Sequence, residues 1–297
     1  MLRPVVVGLD GSPESLAAAD WAAREALRRG LPLRLVHAGE GLGAPTESDL
    51  PELEAPRERA LRLLREGMDR VNERYPQVGL SAEQIPRPAP EAMAAQGEEA
   101  ELLVLGSRAF TGLGGLLAGS VAQSAVARVT RPVVLVRAEH TLEDEHGPDG
   151  AGGPSAHTPY RPLTVGVDPA QRCDDLLAFA FESARLRSAP LRVVYAWRLP
   201  YVPSSLEAKA RRDLRQKSER VLEAVLAPWR EKYPTVEVVP AAEEGRPAHR
   251  LLDASRDCGL LVVGRRIRPA GIGPHTGPVA HAALRHVRCP VAVVPHE

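Results

Sequence analysis

The chain repeats itself at one fixed interval. Val-Val-Val-Gly-Leu-Asp, ending at Asp10, returns as Leu-Thr-Val-Gly-Val-Asp, ending at Asp168, 158 residues later. The same interval of 158 separates Tyr75 of Glu-Arg-Tyr-Pro from Tyr233 of Glu-Lys-Tyr-Pro, Gly106 from Gly264, and Pro132 from Pro290. Four matches at one spacing, spread along the whole unit, leave almost no room for net insertion, so both copies are expected to build the same supersecondary structure. A chain of 297 residues is long for one domain and comfortable for two, each large enough to bury its own core. The expected division is residues 1–137, a connecting segment 138–161, and residues 162–297. The connector mixes glycine, proline, acids and histidines without an apolar period, so it reads as a flexible linker. His140, His146 and His157 with Glu143, Asp144 and Glu145 fall on that stretch, where no fixed geometry for a metal is expected.

Within each copy, apolar runs alternate with helical periods. Residues 4–9 form a β-branched run of the kind covered on both faces of a sheet. Asp10-Gly11-Ser12-Pro13 turns the chain, with Ser12 suited to an N-cap and Pro13 to the first helical position. Leu16, Ala19, Ala23 and Leu27 share a helical face, and Gly30 ends the helix. Residues 31–38 read as a strand, 57–75 as a helix with Leu61, Leu64, Met68 and Val71 inward, and 78–85 as an edge strand. A short helix over 92–96, a strand over 102–105, a helix over 120–129 and a strand over 133–136 complete the unit, and the second copy follows at the same interval. Strands alternating with helices imply right-handed crossovers and a parallel sheet with helices on both faces. The fold class expected is therefore α/β, as two tandem doubly wound five-stranded parallel-sheet domains related by an approximate two-fold axis.

A doubly wound sheet has a point where its winding reverses, and ligands bind there beyond the carboxyl ends of the strands. That rule points to Asp10, after strand one, and to Gly106, at the end of strand four. The stretch that follows carries glycines at 106, 112, 114, 115 and 119 before Ser120 and Val121. Such a run lets backbone amides turn inward around an anion, and Gly119-Ser120 opens a helix whose free amides favour phosphate oxygens. A plain connection with Ser120 as an N-cap has the same composition. His37 reads as a strand-end structural residue, since no nucleophile can be placed beside it.

Taken together, Val-Gly-Leu-Asp-Gly-Ser, Leu-Val-His-Ala and the glycine-rich loop closely resemble the universal stress protein family, over the whole chain apart from the linker. That resemblance implies a tandem two-domain member with an adenine nucleotide alpha hydrolase-like, Rossmann-like fold. The family's ATP signature is Gly, two residues, Gly, nine residues, Gly, then Ser or Thr. Gly106, Gly119 and Ser120 match it, with Ala109 as the one departure. The resemblance implies ATP as ligand, with Mg2+ as a companion ion. It assigns ribose and adenine to Asp10 and the backbone at Ala38, and the phosphates to Gly106, Gly119, Ser120 and Val121. The second copy reads Gly264, Ile267, Gly277 and Pro278, so it lacks both the hydroxyl and one amide donor. An empty or much weaker site is expected there.

Charge and composition narrow the alternatives. Lys plus Arg equals Asp plus Glu at 38 each, so no net field draws in nucleic acid or an acidic membrane. Aromatic residues are only 4%, too few for base-stacking surfaces. The start is too short for a signal h-region, and no apolar run approaches the ~18 residues of a membrane span, so the expectation is a cytoplasmic protein. Cys173, Cys258 and Cys289 match no metal spacing and read as reduced thiols. No catalytic constellation and no Gly-x-x-x-x-Gly-Lys-Ser/Thr is present, so the reading is a nucleotide-binding stress-response or regulatory protein and not an enzyme. Slow ATP hydrolysis, an adenylyl-transferring ATP enzyme, and an interaction module with vestigial sites stay as alternatives. The expected partners are ATP and the protein itself, through pairing of Val133–Val136 with Val291–Val294 within one chain or through a homodimer.

Overall fold

The computed structural model describes residues 2–39, 51–107, 119–267 and 276–297, with side chains of the second stretch from residue 57. The chain divides into two compact units at Thr141 and Leu142. The first unit runs β1 (Val5–Gly8), α1 (Pro13–Arg29), β2 (Leu33–Ala38), α2 (Pro51–Arg74), β3 (Leu80–Ile85), α3 (Ala89–Glu99), β4 (Leu102–Ser107), α4 (Ser120–Arg128) and β5 (Val133–Arg137). The second runs β6 (Leu163–Gly166), α5 (Asp174–Arg187), β7 (Leu191–Trp197), α6 (Ser204–Lys232), β8 (Val238–Glu244), α7 (Pro247–Ala254), β9 (Leu260–Arg266), α8 (Pro278–His286) and β10 (Val291–His296).

Taken by itself, the first unit has strand order β3-β2-β1-β4-β5, and the second β8-β7-β6-β9-β10. Every ladder within each unit is parallel. The repeat holds at the level of register: Val5 pairs with Leu33 and Leu102, and Leu163, at the 158-residue interval, pairs with Leu191 and Leu260. Val5, Val6 and Val7 are fully buried, which is why a continuous apolar run and not an alternating one marks this strand. The winding reverses between β1 and β4 in one unit and between β6 and β9 in the other. No helix among the described residues is long and apolar enough to cross a membrane.

Helix α1 starts and stops where its caps dictate. Ser12 accepts from the amide of Ser15 at 3.2 Å, Pro13 follows, and Gly30 closes the helix at φ 63°. Its inner face is broader than the expected stripe. Ala17 through Ala26 are all buried, while Leu27, expected inward, is 38% exposed. The cause is that α1 packs on the sheet and also against α2, so its polar side is covered as well. Asp20 there meets Arg70 at 2.7 Å and Arg74 beside it, Arg24 donates to the Tyr75 hydroxyl at 3.0 Å, and Glu25 pairs with Arg29 at 2.7 Å. In α2 the buried row is Ala60, Leu64, Gly67 and Val71. Leu61, expected inward, is 37% exposed, because the buried row runs through Ala60, one position earlier on the helix, and Gly67 lets that face approach Leu9.

The connecting segment is more ordered than its composition suggested. It holds a 3-10 turn at Glu143–Glu145 and an antiparallel bridge from His146 to Tyr160, whose rings lie 4.1 Å apart. Glu145 and His146 are buried. His146 Nδ1 donates to the Thr158 carbonyl, and Asp149 accepts from the amides of Ala151 and Gly153 at 2.9 and 2.8 Å. Polar side chains satisfy the backbone here in place of an apolar period, which is why the pattern read as a flexible linker.

Candidate functional site

In the first unit a cavity of about 270 Å³ opens at the carboxyl ends of β1 and β4. Asp10, Ala38, Gly106, Gly119, Ser120 and Val121 all line it. Ala109 and the glycines at 112, 114 and 115 lie outside the described residues. Four elements deliver the site: the end of β1 brings Asp10, the end of β2 Ala38, β4 Gly106, and the start of α4 the remaining three.

The local chemistry is set by two helix starts. Asp10 is exposed at the rim and accepts from the amide of Ser12 at 2.9 Å and from its hydroxyl. Its carboxylate therefore also organises the turn into α1. Ser12 caps α1 through its side chain, whereas α4 begins at Gly119 with no side-chain cap at all. The first amides of α4 and the positive end of its dipole thus open toward the cavity, where an anion would satisfy them. None of the described lining residues is Lys, Arg or His. Any phosphate recognition by these residues rests on backbone amides and the Ser120 hydroxyl.

The two glycines of this site have different physical reasons. A Cβ on Gly106 would sit 2.7 Å from the Glu14 carbonyl carbon and 2.8 Å from the Ser15 amide, so Gly106 is required by the close approach of α1 to β4. At Gly119 a Cβ would meet nothing within 4 Å among the described residues, and φ is −45°, open to any residue. Neither the packing of the described residues nor the backbone conformation demands glycine there. His37 is not among the lining residues. Its Nδ1 lies 2.7 Å from the Leu9 carbonyl and donates to it, a tie between β2 and β1.

Ser12, Glu14, Ser15 and Met93 also line the cavity and were not assigned to the site from the sequence, where Ser12 was read only as a helix cap. The signal was present for the first three: a helix that begins straight after β1, at the reversal point, turns its first residues to the cleft. Met93 had no such signal, since its approach depends on how α3 packs.

The second unit keeps a cleft in the same place, of about 530 Å³, with a different lining. Asp168 is held by the Ala170 amide at 3.1 Å and the Gln171 side-chain amide at 2.9 Å. Pro278 occupies the first turn of α8, removing a donor where Ser120 stands in the first unit. Gly264 faces a side chain and not a helix backbone: a Cβ there would lie 2.6 Å from His296 Nε2. Helix α5 starts only at Asp174, so its first turn meets Gly264 through the Leu176 side chain, 3.5 Å from that Cβ, and not through backbone as α1 meets Gly106. Arg172, Arg198 and Arg266 line this cleft, and Ile267 is 40% exposed beside it.

Comparison with known proteins agrees with this architecture. The universal stress protein family model matches residues 1–137 and again residues 159–295. Universal stress protein Rv2005c of Mycobacterium tuberculosis is 32% identical over 306 residues, covering 97% of this chain and 96% of its own. Universal stress protein Rv2623 of the same organism is 28% identical over 297 residues, covering 97% and 95%. The crystal structure of a universal stress protein from Archaeoglobus fulgidus superposes with a TM-score of 0.65 at 16% identity, over 99% of this chain and 98% of that one, a likeness of fold. Two matched regions spanning nearly all of its length show that the chain belongs to the universal stress protein family, as a tandem two-domain member.

Proposed function

We propose that the first unit holds ATP in its cleft and that the protein works as a nucleotide-dependent stress-response regulator in the cytoplasm, not as an enzyme. The observation that carries this reading is the uncapped start of α4, opening at Gly119 and Ser120 into the cavity at the β1–β4 reversal. In this assignment the amides of Ser120 and Val121 and the Ser120 hydroxyl take the phosphates, with Gly106 on the floor and Ala109 on the connecting loop. Asp10 takes a ribose hydroxyl, and the backbone at Ala38 meets the adenine edge. Asp10 and Glu14 place two carboxylates near a triphosphate, so Mg2+ arriving with ATP would offset their repulsion. His37, tied to Leu9, is not poised as a base, which favours binding over turnover.

The second unit is assigned a much weaker nucleotide site, because Pro278 removes an amide and a hydroxyl where the phosphates would lie. The test has two parts. Mass spectrometry of small molecules released from gently purified protein should detect ATP. Calorimetry on the stripped full chain with Mg-ATP should then give one strong site per chain. Two equivalent sites, or no binding, would overturn the assignment.

A further inference from the structure

The second unit contains a pair of thiols that the nucleotide site does not use. All three cysteines are free and all lie in this unit. Cys258 sits two residues before β9 and Cys289 two before β10, and these strands are parallel neighbours with Leu261 opposite Val291. Their sulfurs are 3.2 Å apart, at the amino ends of the strands and so at the opposite end of the sheet from the cleft. Cys258 is 4% exposed, and Cys289 is partly exposed. Cys173 begins α5 and lines the cleft, away from both. The positions 158 residues earlier are Ala100 and Arg131, so the pair belongs to this unit alone and is not a product of the repeat.

We propose that Cys258 and Cys289 are a modification site, closing to a reversible disulfide when the protein meets hydrogen peroxide. A disulfide bond is about 2.0 Å long, so the sulfurs need approach by only about 1 Å. Cys289, the more accessible, reacts first: it gives up its proton, its sulfur attacks one peroxide oxygen, the O–O bond breaks, and the departing hydroxide takes a proton to leave as water. Cys258 then loses its proton and attacks the sulfenic sulfur. The S–S bond forms, the S–O bond breaks, and a second water leaves. Two thiols are oxidised by two electrons in all, and one peroxide is reduced to two waters. The hydrogen bond shared with Cys258, which holds the Cys289 proton, then burial, push the Cys289 thiol well above its ordinary pKa, so the pair rests reduced until an oxidant is plentiful.

The bond joins positions 31 residues apart. The loop it closes carries β9 and α8, and with them Gly264, Arg266 and Pro278 of the second cleft. Oxidation therefore limits the freedom of both walls of that cleft in the unfolded and locally opened chain.

The test uses the full chain, fully reduced, desalted and exposed to hydrogen peroxide. Free thiols counted after denaturation should fall from three to one, the intact mass should drop by two hydrogen atoms, and a peptide map should join Cys258 to Cys289. Dithiothreitol should restore three thiols, and the oxidised protein should melt several degrees higher than the reduced one. Cys173→Ser should keep the cross-link, and Cys289→Ser, at the partly exposed position, should lose it. The wild-type thiol count and peptide map stand whether or not a variant folds. Three thiols remaining after peroxide, a cross-link through Cys173 or between chains, or Cys289 carried to the sulfinic acid with Cys258 intact would overturn the proposal.

Discussion

Substituting the two glycines of the first cleft should separate folding from binding. In Gly106→Ala the new Cβ lies 2.7 Å from the Glu14 carbonyl carbon and must recede by roughly 0.7 Å to reach ordinary contact at 3.4 Å. The atoms it meets are the backbone of α1's first turn, which cannot rotate aside as a side chain can. Overpacking of this kind costs about 1–3 kcal/mol, and the upper half of that range applies because a helix must move. For a unit of this size each kcal/mol lowers Tm by about 2–4 °C, giving a fall of roughly 4–12 °C. Gly119→Val introduces a larger side chain that meets none of the described residues at its Cβ, at a φ that valine tolerates, so the ligand-free melting temperature should hold or rise slightly. Its ATP affinity should nevertheless fall by about ten-fold or more, since the new side chain stands where the phosphates are assigned and blocks the amides behind it, at a cost of ~1.4 kcal/mol for each factor of ten. Calorimetric melting without nucleotide, followed by Mg-ATP titration of the same preparations, measures both quantities. The reasoning is refuted if Gly106→Ala melts with the wild type, or if Gly119→Val binds ATP normally.

Ser120→Ala should weaken ATP binding of the whole chain by roughly ten-fold or more, since a hydrogen bond to a charged group is worth about 1.5–3 kcal/mol, whereas Pro278→Ala should leave binding nearly unchanged; titration of the two variants side by side checks this. Acid stability should respond at Asp257. Its hydrogen bonds to Arg192, at 2.8 and 3.2 Å, hold its carboxyl below the usual range. A depressed carboxyl contributes stability that is present above its unfolded pKa of about 4 and fades as pH falls through the lower folded value. The pair is well exposed, so Asp257→Asn should cost no more than about 1 kcal/mol at neutral pH, and the difference from wild type should shrink below about pH 4. Chemical denaturation at pH 7 and pH 3 reads it, and an equal deficit at both would count against the pairing.

The repeat interval, the order of elements and the place of the cleft were legible in the sequence because each follows from short-range rules. Strands buried on both faces must read as unbroken apolar runs, crossovers have one hand, and the reversal of winding puts the strand ends of Asp10 and Gly106 beside each other. The caps of α1 were legible for the same reason, as Ser12, Pro13 and Gly30 act within a single turn. The direction of Leu27 and Leu61 was not, because a periodic stripe says which residues share a face and not how wide that face is. Width depends on how closely an alanine-rich helix approaches a sheet and on what covers its far side.

The amino-acid sequence alone determined that this protein would be two copies of one parallel α/β unit, and that Ser120 of the first copy is replaced by Pro278 in the second. Only the tertiary structure decided what stands against the glycines: the α1 backbone at Gly106 and the His296 ring at Gly264. It alone brought Cys258 to within 3.2 Å of Cys289, 31 positions along the chain. The physical reason is one of range. Periodicity, capping and turn chemistry act over a few residues and leave their mark in the order of letters, whereas distances between side chains on different strands are set by the packing of the whole unit.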